Sequence, residues 1–209
     1  MPALPTLKIS EIFWSAQGEG ARVGTPSIFI RLAGCTLRCP YCDTRTAWDK
    51  GKRLTINPIM KRVANLASSY PASQVVISGG EPLEQDLRPL VAALKKKRFF
   101  VAAETNGLHY QKLAFDWWAV SPKAEASFRI QEKLLPLISE IKVLVAPGLT
   151  VAVVRRLRRK VPGVPLWLQP QAFDKSRFRR TWRLYQECQK AGLKNVRLGF
   201  QLHRVFGVR

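Results

Sequence analysis

Nothing in this sequence is long and apolar enough to cross a bilayer as a helix. A spanning helix needs about 20 consecutive apolar residues, and every apolar run here is shorter. The opening residues, Met1-Pro2-Ala3-Leu4-Pro5, lack a basic segment followed by an apolar core, so no secretory signal is expected. No low-complexity linker interrupts the chain, which excludes an evident domain boundary and predicts a single domain over residues 1–209. Histidine is scarce, at two residues. Neither His109 nor His203 has a ligand partner nearby in sequence, which weakens a structural zinc site, since such sites draw their ligands as two close pairs. Acidic residues number 14 against 35 Lys and Arg, a formal net charge of +21. Hydrophobic content of 46% with 23% charged residues is that of a globular protein, not a disordered one.

Cysteine is also sparse, but its placement is not random. Three of the four cysteines, Cys35, Cys39 and Cys42, form a CxxxCxxC array, and Cys188 lies far away. That is poor disulfide arithmetic and good metal-site arithmetic. Three thiolates so close together can hold an iron–sulfur cube and leave its fourth iron without a protein ligand, open to a substrate or cofactor. Zinc, with His109 or His203 as a fourth ligand, is the rival reading. A thiolate-ligated iron site needs a reducing compartment, so a cytoplasmic location is expected. Cys188 shares a helix face with Phe178, Trp182 and Tyr185, which predicts a buried, inert thiol.

Much of the positive charge comes late. Between Val151 and Arg209 there are 15 Lys or Arg against Asp174 and Glu187. Such a field attracts nucleic acid, an anionic substrate or an acidic electron carrier, or it is a solvated surface tuned for solubility. Charge does not separate these readings.

Strands alternate with helices along the chain. Strands are expected at Pro26–Ala33, Val75–Ile77, Phe99–Ala103, Trp117–Val120, Glu140–Val145, Leu166–Leu168 and Asn195–Phe200. Helices are expected from Asn57-Pro58 to about Ser69, over the Leu87, Leu90, Val91, Leu94 stripe, from Thr150 to Lys160, and from Asp174 to about Ala191. Repeated βα units predict an α/β fold with a mostly parallel sheet, and six or so units predict an open, partial barrel. Polar clusters follow the strands: Ser78-Gly79-Gly80-Glu81-Pro82, Glu104-Thr105-Asn106-Gly107, Ser121-Pro122-Lys123, Gln169-Pro170 and Gln201-Leu202-His203. Carboxyl ends of parallel strands share one rim, where such folds build their sites.

CxxxCxxC followed by GGEP after the next strand resembles the radical S-adenosylmethionine (SAM) superfamily. The resemblance implies a radical SAM (β/α)6 partial barrel with the cluster loop at about 34–49. It implies a 4Fe-4S cluster on Cys35, Cys39 and Cys42 whose open iron chelates SAM. Reduction then splits the sulfonium and frees a 5′-deoxyadenosyl radical. The potentials available to such clusters, down to about −700 mV, suit that step. SAM contacts would come from Tyr41, Cys42, Asp43, Gly80, Glu81, Glu104, Ser121, Pro122 and Lys123.

A narrower resemblance rests on Ala16-Gln17-Gly18-Glu19-Gly20, Arg31, Cys42-Asp43-Thr44 with Trp48, Ser121-Pro122-Lys123 and Gln201-Leu202-His203. Together they resemble the 7-carboxy-7-deazaguanine synthase family of the queuosine and deazapurine pathway. That implies conversion of 6-carboxy-5,6,7,8-tetrahydropterin to 7-carboxy-7-deazaguanine and ammonia by a homodimer that reuses SAM. Substrate contacts would fall on Ala16, Gln17, Gly18, Arg31 and Ser78, and Mg²⁺ on Thr44. These types suit the roles. Arginine offers a forked donor pair for a carboxylate, glutamine a donor and an acceptor for a pterin edge, and Mg²⁺ takes a hydroxyl while keeping waters and substrate oxygens. Some members press a carboxy-terminal proline against the substrate; this chain ends Val208-Arg209, and that contact is left unassigned.

Two other readings compete. A glycyl-radical-enzyme activase shares the cysteine array but has no need of the QGEG, Arg31 and Thr44 set. A nucleic-acid-binding protein with a structural cluster would use the basic C-terminal third to grip phosphate. For the enzyme, a flavodoxin or ferredoxin is the expected reductant, and neither a membrane nor a nucleic-acid substrate is expected.

Overall fold

The computed structural model describes residues 4–72, 74–171 and 175–208. They form two compact units that interleave in sequence. The first comprises the segment ending at Ala16, Thr25–Thr105 and His109–Trp118; the second comprises Gln17–Gly24, Asn106–Leu108 and the chain from Ala119.

In the first unit, β1 (Thr6–Ala16), β2 (Pro26–Leu32), β3 (Lys52–Thr55), β4 (Gln74–Gly79) and β5 (Phe100–Thr105) lie in the order β3-β1-β2-β4-β5. β2, β4 and β5 are parallel, as the βα repeats imply, while β1 runs antiparallel to both β2 and β3. Side chains alternate across a strand. Ile28, Ile30, Leu32, Val75, Ile77, Val101 and Ala103 therefore all point to one face and are buried. Two helices supply partners for that face. α1 (Ile56–Ser69) buries Ile59 and Val63, and α2 (Arg88–Lys96) buries Leu90, Val91 and Leu94. The opposite face carries Phe13, Phe29, Val76 and Ala102 in one buried cluster, with Phe100 and Trp117 packed against it. Phe13 and Phe29 stack with ring centroids 5.2 Å apart.

β6 (Trp117–Val120) has Trp117 and Trp118 in the first unit and Ala119 and Val120 in the second, which also holds β7 (Glu140–Leu144), β8 (Leu166–Gln169) and β9 (Val196–Leu198), in the order β6-β7-β8-β9, all parallel. Ile141, Val143, Leu166, Leu168 and Val196 are buried, as are Val154 and Leu157 of α3 (Val151–Lys160) and Thr181, Leu184 and Cys188 of α4 (Lys175–Lys190). Thr150 caps α3, its hydroxyl accepting from Val153 N at 3.4 Å. A short α5 (Leu202–Phe206) follows β9. The result is the expected unclosed, mostly parallel α/β architecture.

The structure departs from the sequence reading at several places. β1 and β3 add antiparallel strands before and after the first expected one. β1 hides its alternation because its register shifts between Ile9 and Glu11. The last strand begins at Val196 rather than Asn195, which takes a left-handed φ of 58°. The expected helix start at Asp174 lies outside the described residues. Cys188 is fully buried, as expected, and burial pushes its thiol up to about 11. Phe178 and Trp182 do not share its burial, being 37% and 51% exposed. Among the described residues, no helix is long and apolar enough to cross a membrane.

Candidate active site

The first unit stacks a polar layer on its aromatic one. Glu11 lies two residues from Phe13, Arg31 from Phe29, Ser78 from Val76 and Glu104 from Ala102, so each shares its neighbour's face. Register places Arg31 beside both Glu11 and Ser78. The Arg31 guanidinium sits 5.1 Å from the Phe13 ring centroid and donates to Glu11 Oε1 at 2.5 Å. Its remaining N–H donors leave it able to take a second acid. Ser78 is buried, Glu104 half-buried, and Ala16 closes β1 opposite Pro26.

The cysteine loop leaves the end of β2 and is pinned to the turn after β4. Gly80 N donates to Leu32 O (3.0 Å), Glu81 N to Gly34 O (2.7 Å), and Gly34 N to Ala47 O (2.8 Å). Backbones approach so closely that a Cβ on Gly80 would stand 1.9 Å from Gly34 O. Only glycine fits there. The Glu81 side chain is buried at 1% exposure. Its Oε1 accepts from Leu83 N (3.1 Å) and Thr105 Oγ1 (2.6 Å), tying the turn after β4 to the end of β5. Glu84 continues the tie, accepting from both N and Oγ1 of Thr36.

Within the loop, backbone amides point at sulfur. Leu37 and Arg38 direct their N–H groups toward Cys35, and Thr44 N donates to Cys42 Sγ at 3.4 Å. Arg38 adopts a left-handed φ of 43° in that turn. Burial pushes the Cys35 thiol up against those two amides, and the Glu84 and Glu81 charges push the same way. Cys39 is buried and Cys35 and Cys42 half-buried. Among the described residues no three His, Cys, Asp or Glu side chains are drawn into a ready metal cage. The donor chemistry nonetheless fits an iron–sulfur cluster: three thiols on one short loop, with N–H groups already aimed at two of the sulfurs. Thr44 Oγ1 donates to Asp43 Oδ1 at 3.0 Å. That is a pair of hard oxygens of the kind Mg²⁺ accepts beside water. Tyr41 is half-buried on the same loop.

In the second unit the QGEG loop is held from three sides. Gly18 O accepts from Leu202 N (2.9 Å), and a Cβ on Gly18 would fall 2.2 Å from His203 Nδ1. Gln17 is buried, and its Oε1 accepts from Glu19 N at 3.2 Å. Glu19 itself takes Gln201 Nε2 (2.8 Å) on one oxygen and the ammonium of buried Lys142 (3.0 Å) on the other. Burial alone would raise the Glu19 carboxyl. The Lys142 charge and the Gln201 and Lys142 hydrogen bonds prevail and hold it at about 2. Buried Glu140, two residues before Lys142, accepts from Ala21 N at 2.7 Å. After β6, Lys123 Nζ donates to Ser121 Oγ at 2.7 Å and Pro122 is buried. Gln169, the last residue of β8, is 2% exposed with neither side-chain amide atom hydrogen-bonded.

Glu11, Glu140 and Lys142 lie outside the motifs, and Glu19 lies within QGEG but had no role assigned to it. The signal for two of them was present: charged Glu140 and Lys142 alternate with apolar residues inside an otherwise buried strand, and buried charges need partners.

The radical SAM superfamily profile matches residues 29–124. The chain is 33% identical to the 7-carboxy-7-deazaguanine synthase of Synechocystis over 96% of its own length and 93% of that protein. It is 33% identical to the enzyme of the same name from Rickettsia prowazekii, over 97% and 88%. Among solved structures, the crystal structure of QueE from Escherichia coli superposes with a TM-score of 0.76 at 28% identity, covering 95% of each chain. With a pinned cysteine loop, a QGEG turn and relatives matched nearly end to end, this chain belongs to the 7-carboxy-7-deazaguanine synthase family of radical SAM enzymes.

Proposed function

We propose that residues 1–209 act as one catalytic domain that contracts the ring of 6-carboxy-5,6,7,8-tetrahydropterin to 7-carboxy-7-deazaguanine with loss of ammonia. The observation that carries the reading furthest is the Arg31 layer. A fixed guanidinium over an aromatic ring, flanked by Ser78, suits a substrate that carries a carboxylate on a flat heterocycle. Arg31 binds that carboxylate. Gln17, its amide oriented by Glu19 N, reads the pterin edge, and Gly18 and Ala16 let the backbone approach the ring. Thr44 holds Mg²⁺ next to the substrate acid.

Cys35, Cys39 and Cys42 hold the 4Fe-4S cluster. When bound, the cluster and SAM supply one-electron cleavage chemistry that removes hydrogen from the substrate. Tyr41, Asp43, Gly80, Glu104, Ser121, Pro122, Lys123 and the backbone at Glu81 seat SAM. The Glu81 carboxylate serves the fold instead, since its bonds to Leu83 and Thr105 occupy it. No side chain is asked to be a strong acid or base; the protein aligns reactants and excludes water.

The active species is a homodimer. Leu198, Phe200, Val205, Phe206 and Val208 are 37%, 45%, 51%, 70% and 52% exposed along one stretch of the second unit, and a run of exposed apolar side chains suits a subunit contact. β9 is also the last strand of its sheet and needs edge protection. An acidic flavodoxin or ferredoxin in the cytoplasm delivers the electron to this basic protein.

Anaerobic incubation of reconstituted protein with the carboxypterin, SAM, Mg²⁺ and reductant, followed by ultraviolet detection of the deazapurine, tests the reading. Cys39→Ala is expected to abolish both SAM cleavage and product. SAM cleavage without deazapurine formation by the native protein would overturn the substrate assignment.

A further inference from the structure

The α4 surface carries a feature the ring contraction does not use. At roughly 100° per residue, Phe178, Trp182 and Tyr185 form one stripe beside the buried Thr181, Leu184 and Cys188 row. Arg179, Arg183 and Lys190 form the next stripe outward. Trp182 is 51% exposed and Phe178 37%, and the Trp182 and Tyr185 rings lie 5.7 Å apart. Neither Arg179 nor Arg183 has an ion pair among the described residues, and both are exposed. α3, which packs beside α4, adds exposed Arg155 and Arg159. Glu187 is the sole acid in the described part of α4.

Three occupants fit an exposed aromatic row in principle. A second copy of this chain is disfavoured, because a two-fold contact centred on this face would crowd the cationic rows of two α4 helices together. An acidic protein also satisfies the arginines, and tryptophan is common at protein interfaces, so it is the occupant the test must separate. A single-stranded nucleic acid satisfies both rows at once: phosphates take the cations and bases stack on the rings, without sequence preference.

We propose that the α4 face is a binding site for single-stranded nucleic acid, a function separate from the ring contraction. Trp182 is the stacking platform, with Tyr185 and Phe178 extending it, and Arg179, Arg183 and Lys190 track the backbone. Three neutralised phosphates predict a log–log salt slope near −2, or about 20-fold weaker binding between 50 and 200 mM salt.

The test is fluorescence anisotropy of the reconstituted full chain with a labelled 12-nucleotide RNA, read without turnover so that it does not depend on the enzyme assay. Trp182→Ala is expected to weaken binding about 10-fold at fixed salt with the slope unchanged, and Trp182→Phe to recover most of it. The double variant Arg179→Gln/Arg183→Gln is expected to cut the salt dependence over the same range to about 3-fold. All three should retain native ring-contraction rates. Equal binding by Trp182→Ala and native protein, or heparin competing as well against both, would reduce the surface to nonspecific charge and overturn the proposal. So would RNA affinity that ignores the arginine variant while an acidic flavoprotein loses its hold on it, which would assign the face to a protein partner.

Discussion

Replacing Lys142 by methionine removes the cation that neutralises Glu19 while nearly preserving volume. Glu19 is held at about 2 against an ordinary 4.5, despite burial that by itself would raise it. At roughly 1.4 kcal/mol per pH unit that gap corresponds to about 3 kcal/mol of folding free energy, trimmed somewhat by the 20% of the side chain that solvent reaches. Removing one member of a buried pair also leaves the other uncompensated, at a cost of about 3 to 5 kcal/mol. A loss of about 3 kcal/mol at pH 7 is therefore expected for Lys142→Met. The sign with pH follows from the depressed carboxyl. Its contribution is complete above about 4.5 and disappears as pH falls toward about 2. The difference between native and variant proteins should accordingly be largest near neutral pH and shrink as pH falls toward about 2, starting above pH 4.5 because burial raises the stranded carboxyl of the variant. Anaerobic urea unfolding followed by circular dichroism at several pH values measures it. The second variant, Lys142→Met/Glu19→Gln, removes the stranded charge and should recover most of the loss. A penalty below about 1 kcal/mol at pH 7, or a double variant no better than the single, would refute the view that Lys142 and Glu19 lock the QGEG loop electrostatically.

Four further outcomes are expected. Gly80→Ala places a methyl 1.9 Å from Gly34 O, a backbone atom with little freedom to retreat. It should cost about 3 kcal/mol and lower iron and sulfide content after reconstitution. Arg31→Lys keeps the charge but loses the fork, so kcat/KM for the carboxypterin should fall about 30-fold or more with the cluster's absorbance unchanged. Thr44→Val should keep cluster and SAM cleavage yet lose Mg²⁺ stimulation; product formation equal to native with and without Mg²⁺ would count against the assignment. Phe206→Glu, at a side chain 70% exposed, should shift the protein toward monomer in light scattering.

The match between sequence and structure is uneven for identifiable reasons. βα repeats were legible because each strand on the helix-covered side is a near-continuous apolar run, and each helix has one apolar stripe. Trp117–Val120 was located to the residue. β1 was not, because its bulge breaks the alternation and Lys8, Glu11 and Trp14 interrupt the pattern. The α4 aromatics were grouped on one face with Cys188, whereas they form the row beside it; adjacency on a helix is visible in sequence, but which of two neighbouring rows is buried is not.

By itself, the sequence determined what kind of chemistry this protein carries. The CxxxCxxC array, GGEP, QGEG, Arg31 and Thr44 are local patterns, and local spacing sets which donors can reach one loop or one turn. Only the tertiary structure decided how those donors are held. Arg31 over Phe13 and beside Glu11 depends on strand register, Gly80 against Gly34 on the approach of two strand ends, and Lys142 on Glu19 on a contact between residues more than a hundred positions apart. Such contacts have no local signature. A buried charge finds its partner through the packing of the whole unit, and that packing is a property of the fold rather than of any segment.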